Sequence, residues 1–215
     1  MLCEIFLNLS DYYKGTSVSN QLKNQIIWNS FRDGSIEALE TIYEENYSSL
    51  FHYGVKFTPN DELIKDLIHE LFIELIDAGN KLSPTDNIRF YLLKALRYKI
   101  LHQISEIVST ESDQHEMLEF SLLESIEHKL IQKEVETEIQ HKMMTAIQKL
   151  SRKQQEIIYL RFYDNVSYSK IAEMFDVKIQ TVRNLMNRAM KSLKDDLESS
   201  EIRKSLILLL MDGRR

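Results

Sequence analysis

The chain is predicted to be all-α, two small helical domains joined by an acidic linker. Three observations carry this. Of 215 residues only five are Gly and two are Pro, few turn-formers for a chain of this length. Apolar residues recur at three- and four-residue spacing, and no run of alternating β-branched residues interrupts them. Charge is segregated: from Ser151 to Lys194 nine basic residues face four acids, whereas from Ile104 to His141 ten acids face only Lys129 and Lys133. The net charge of −6 therefore conceals a basic C-terminal module tethered to an acidic middle.

Taken in order, residues 1–20 lack a clear period and are rich in Ser, Asn, Tyr and Gly from Ser10 to Asn20, which predicts a loose arm. A helical pattern starts near Leu22. After the turn signal Asp33-Gly-Ser35, a second helix places Ile36, Leu39, Tyr43, Tyr47, Leu50 and Gly54 along one face. Thr58-Pro-Asn60 ends it. Asp61 to Ala78 is the clearest helix. Leu63/Ile64, Leu67/Ile68, Leu71/Phe72 and Leu75/Ile76 recur every four residues as a wide buried stripe, and Asp66, His69, Glu70, Glu74 and Asp77 lie opposite. Ile73 sits on that acidic face, either as an incidental exposed residue or as the apolar centre of a protein contact.

Gly79 to Asn87 reads as a polar loop and Ile88 to Ile104 as a helix with Leu93, Leu96, Ile100 and Ile104 inward. Its other side carries Arg89, Tyr91, Lys94, Arg97, Tyr98 and Lys99. Rings beside cations suit unpaired bases, which stack while phosphates meet the charges; a solvated face with partly buried tyrosines has the same composition. Ser105 to Glu127 loses its period and reads as an acidic linker, with one short helix near Met117 to Ile126. From Leu130 a helix resumes. The predicted domains are thus 21–105 and 130–197, with a linker over 106–129 and a tail over 198–215.

The C-terminal module is the most informative part. Ser151 and Gln154 fit a capping box; Ile157, Ile158 and Leu160 supply core. Asp164-Asn165 turns the chain, Ser167 caps the next helix, and Ile171, Ala172 and Phe175 are its buried residues. Asp176 occupies a turn where φ is often positive, a conformation that Asp tolerates. A second helix from about Lys178 to Asp195 buries Val182, Leu185, Met186, Ala189 and Leu193. Lys178, Gln180, Thr181, Arg183, Asn184, Asn187 and Arg188 point outward, with no acid between Lys178 and Lys194 on that face. Two short helices so joined, the second lined with donors, form a helix-turn-helix. Arg can read guanine and Asn or Gln adenine in the major groove.

The two halves together resemble the bacterial RNA polymerase sigma factors of the extracytoplasmic-function (ECF) group, in the sigma-70 family, over about residues 30 to 195. Val166-Ser-Tyr-Ser-Lys-Ile-Ala-Glu-Met-Phe175, Thr181-Val-Arg183 and Arg188-Ala189 look like the family's domain four, which reads the −35 promoter element. Asp66-Leu-Ile-His-Glu-Leu-Phe-Ile-Glu-Leu75 looks like the polymerase-binding helix of domain two. The resemblance implies that Asp66, His69, Glu70, Ile73 and Glu74 dock on the largest subunit of core RNA polymerase. It further implies that the Gly79–Asn87 loop and the helix after it hold the −10 element through Asn87, Arg89, Tyr91, Lys94, Arg97 and Tyr98, with Lys99 on phosphate. The linker would mimic nucleic acid near the RNA channel, and an anti-sigma factor is an expected partner. Three features depart from the family pattern: a nearly uncharged Leu101 to Glu106, Tyr91 where tryptophan is frequent, and Lys178 where a capping Ser is usual.

The alternative reading is an autonomous helix-turn-helix regulator that binds a pseudo-palindromic duplex as a dimer. An enzyme is not expected: the sequence has no Ser/His/Asp grouping, phosphate-binding glycine loop or close carboxylate pair. No metal or other cofactor is expected either. Cys3 is the lone cysteine, and His69-Glu70 meets Ile73 where a second ligand histidine would stand. No small-molecule substrate is implied. The absence of a secretory pattern and of any membrane-spanning run predicts a cytoplasmic protein.

Overall fold

The computed structural model describes residues 14–110, 120–122 and 137–197, and all its regular elements are helical. The described chain forms two compact units, the first holding residues 14–55 and 60–110, the second 56–59, 120–122 and 137–197.

Among the described residues, four α-helices build the first unit, α1 (Lys14–Arg32), α2 (Ile36–Gly54), α3 (Asp61–Ala78) and α4 (Ile88–Thr110), and the segment read as a polar loop from Gly79 to Asn87 opens with one 3-10 turn over Gly79–Lys81. α2 lies against α1, α3 and α4, and α3 against α4. The side chains of Trp28, Ile42, Leu50, Tyr53, Ile64, Ile68, Leu92, Leu93, Leu96 and Ile100 are fully buried between them. Each boundary has a local cause. Ser35 caps α2 by accepting from the Ala38 amide, Gly34 turning the chain before it at φ 96°. Asn60 caps α3 through the Leu63 amide, and the Asn87 side chain accepts from the Phe90 amide in the first turn of α4. These bonds satisfy donors that a helix start otherwise leaves empty.

The second unit contains α5 (Thr137–Gln148), α6 (Arg152–Ile158), a widened π turn (Tyr159–Tyr163), α7 (Tyr168–Met174) and α8 (Ile179–Asp196). α8 packs on α5, α6 and α7, burying Val182, Met186, Ala189 and Leu193. Ser151 and Gln154 form the complete capping box. Gln155, almost fully buried, accepts from the Leu122 amide (3.0 Å) and donates to the carbonyls of Ile147 (3.3 Å) and Leu150 (3.1 Å). Three backbone groups thereby satisfy one buried amide, as burial demands.

Several expectations need correction. Residues 14–20, read as part of a loose arm, begin α1; helix propagation costs far less than nucleation, so a well-packed C-terminal half extends a weak start. α4 likewise continues to Thr110, into the expected linker. Within that linker Phe120 and Leu122 are buried rather than solvated, Phe120 packing edge-on to Phe57 (5.1 Å) and Tyr159 (5.6 Å) in the second unit. Phe120–Leu122 are not helical; the rest of the short helix expected near Met117 to Ile126 lies outside the described residues, as do residues 130–136 and the tail.

The α2 face is rotated from the sequence reading. Ala38, Ile42, Asn46, Leu50 and Tyr53 are buried, while Ile36 is 76% exposed. Three-and-four spacing fits more than one stripe on a helix rich in Ile, Leu and Tyr, and packing selects between them. Ile76, assigned to the buried stripe of α3, is 53% exposed. In the second unit Met174 is buried while Phe175 and Leu185 are partly exposed.

Candidate nucleic-acid interface

The helix-turn-helix is α7, its turn and α8. Ser167 caps α7 by accepting from the Lys170 amide. Asp176 holds the turn at φ 51°, and the Val177 amide returns to the Ala172 carbonyl at 3.0 Å. The small, buried Ala172 leaves room for that return. Lys178 stands at the N-cap of α8, exposed and without a side-chain cap bond.

All seven residues expected to read DNA here, Lys178, Gln180, Thr181, Arg183, Asn184, Asn187 and Arg188, are exposed on α8. Gln180 donates to the Asn184 side chain at 2.9 Å, one turn apart, which aligns two amides on one edge. Lys191 continues the face. Acids appear only at Asp195 and Asp196, and Asp196 is paired with Lys149. The beginning of α8 thus offers a helix N-terminus and a run of donors without a carboxylate. That arrangement suits contact with phosphates and base edges.

The second expected nucleic-acid surface, on α4, is more mixed. Lys94 is exposed and Tyr98 is 71% exposed. Asn87, Arg89 and Arg97 are partly exposed. Tyr91 differs from expectation. It is half-buried, its ring 4.9 Å from the Trp28 ring, and burial pushes its hydroxyl pKa above the usual tyrosine value. Packing was invisible to a reading of α4 alone because the partner lies 63 residues upstream. Lys99, expected on phosphate, is only 15% exposed and is bonded to Glu74 at 2.6 Å, with Glu70 at 3.6 Å. An ammonium group held this way is satisfied by carboxylates already.

Asp66, His69, Glu70, Ile73 and Glu74 all lie exposed on α3, Ile73 at 58%. Glu70 and Glu74 are thus shared with Lys99. His69 approaches the Tyr43 hydroxyl (3.5 Å) and stacks near Tyr47 (6.4 Å). Burial raises the Tyr43 pKa, with a smaller contribution from Tyr47. Beside this face, Ile36, Leu39, Glu40, Tyr43, Phe72 and Ile76 line an open apolar groove. The sequence does not single out the groove, because Phe72 and Ile76, four apart on α3, read there as part of the buried stripe.

A helical protein with a donor-lined helix-turn-helix has the features of the DNA-binding class. Comparisons with known proteins narrow this. Residues 140–193, containing the helix-turn-helix, match the family described as Sigma-70, region 4. The RNA polymerase sigma factor YlaC of Bacillus subtilis (strain 168) is 22% identical over 167 residues, covering 76% of this chain and 94% of YlaC. The sigma factor RpoE of Bartonella quintana, solved in complex with the anti-sigma factor NepR, has a similar fold. Its TM-score is 0.55 at 16% identity, covering 77% of this chain and 99% of that one. Together these likenesses support an RNA polymerase sigma factor of the sigma-70 family, ECF group. Nothing in the comparisons supports the alternative of an autonomous dimeric regulator.

Proposed function

We propose a division of labour among the surfaces of this sigma factor. Residues 130–197 act as domain four, with Lys178, Gln180, Thr181, Arg183, Asn184, Asn187 and Arg188 reading the −35 element. Residues 21–105 act as domain two. There Asp66, His69, Glu70, Ile73 and Glu74 dock on core RNA polymerase. Asn87, Arg89, Lys94, Arg97 and Tyr98 engage the −10 element, with Tyr98 as the stacking ring. Tyr91 serves as a brace beneath that surface, and Lys99 orders Glu70 and Glu74 for the polymerase.

The mechanism is binding and strand separation, with no covalent step in this chain and no cofactor or small-molecule substrate. The work takes place in the cytoplasm; among the described residues no helix is long and apolar enough to cross a membrane. The anti-sigma factor named with the Bartonella quintana protein suggests the same kind of partner here, one that covers these faces.

The observation that carries the reading is the exposed face of α8, without an acid from Lys178 to Lys194, on a chain whose overall charge is −6. Phosphate neutralisation supplies most non-specific DNA affinity, so a chain with so few spare cations gains from being mounted on a larger enzyme. The test is transcription reconstituted from core polymerase, this chain and a promoter library. Selection of a two-element promoter supports the assignment. Tight, unaided binding to a symmetric duplex with no effect on polymerase would overturn it.

A further inference from the structure

We propose that α1 is a splint for the Gly79–Asn87 loop, and that Trp28 is the positioning residue that sets preference at the −10 element. The inference rests on the assignment of this loop and α4 to that element, and adds the residues that give the loop its shape.

Trp28 is completely buried, yet its indole N–H donates to the Ser83 carbonyl at 2.9 Å, near the middle of the loop. A buried indole N–H needs an acceptor, and the loop backbone supplies it. One turn later on α1, Arg32 donates from Nη2 to the Asn80 carbonyl at 3.4 Å and from Nη1 to Asn29 at 3.3 Å. The loop is also fixed from within. Leu82 donates its amide to the Gly79 carbonyl (3.2 Å), Asn87 donates its amide to Thr85 Oγ1 (3.2 Å), and the Asn87 side chain accepts from the Phe90 amide (2.9 Å).

The backbone is therefore held from the core side, while the side chains of Asn80, Lys81, Ser83 and Pro84 face solvent. Trp28 also carries the Tyr91 ring at 4.9 Å. One indole thus ties the loop to the first turn of α4, where Asn87, Arg89 and Tyr91 lie. A binding edge ordered before its ligand arrives spends less binding energy on ordering. It also holds its selectivity, because a wrong base cannot be met by a shifted loop.

The test uses holoenzyme assembled with core polymerase on a promoter library randomised separately at the −10 and −35 elements. Trp28→Phe keeps a ring and deletes the donor. Arg32→Met, nearer the surface, removes the second tie and serves if the first variant folds poorly. The expected result is a several-fold fall in −10 preference, with −35 preference and core binding unchanged. A merely structural role would lower transcription from every promoter alike. Unchanged −10 preference in both variants, or equal losses at the two elements, would overturn the proposal. Failure of the unaltered chain to select any promoter would instead strike the functional assignment beneath it.

Discussion

At the scale of single residues, the assigned roles separate by what each side chain already touches. Arg183 is exposed on α8 with Val182 and Met186 buried beneath it, so its loss should spare the fold. Arg183→Ala is expected to relax preference at one base pair of the upstream element by about 1–3 kcal/mol, read as a flattened position in a promoter-library selection. Unaltered preference there would remove Arg183 from the reading face. Ile73 presents an apolar side chain among carboxylates on α3. Ile73→Glu should weaken core polymerase binding by about tenfold or more, as losing an interface anchor does, with a melting temperature close to wild type. Equal affinity in a titration would show Ile73 to be incidental. Lys99 and Tyr91 illustrate the opposite case. Both looked available in the sequence, and both are occupied, one by Glu74 and the other by Trp28.

At the scale of elements, the helices of the first unit are placed by close approach as much as by apolar stripes. Gly54, in the last turn of α2, is the clearest point. A Cβ there would stand 2.5 Å from Cγ2 of Ile64, itself fully buried on α3. Helix propensity alone favours Ala over Gly by about 1 kcal/mol, whereas overpacking a filled core costs about 1–3 kcal/mol. Gly54→Ala is therefore expected to lower the melting temperature, and a rise would mean that α2 and α3 separate easily. Turn chemistry governs the second unit. Ser151 and Ser167 start helices, and Asp176 takes the left-handed conformation between α7 and α8. Those features were legible because a cap or a turn is a local bargain among four or five neighbouring residues.

At the scale of the whole molecule, the balance of charge sets what the chain can do alone. With 27 basic and 33 acidic residues, it should hold an isolated promoter duplex weakly, and bind it well only as part of holoenzyme. An electrophoretic or anisotropy titration at moderate salt checks this, and strong unaided binding whose affinity barely changes with salt would contradict it. The sequence by itself determined the helical class, the limits of α3 to the residue, the helix-turn-helix with its positive-φ aspartate, and the exposed face of α8. Each follows from periodicity, capping or local turn chemistry, whose causes lie within a few residues of their effects. Only the tertiary structure decided which stripe of α2 is buried, that Phe120 and Leu122 of the acidic segment are core, and that Trp28 holds a loop 55 residues away. Those outcomes depend on partners distant in the chain, and the same apolar or aromatic residue satisfies its local pattern whether it faces solvent or a neighbour.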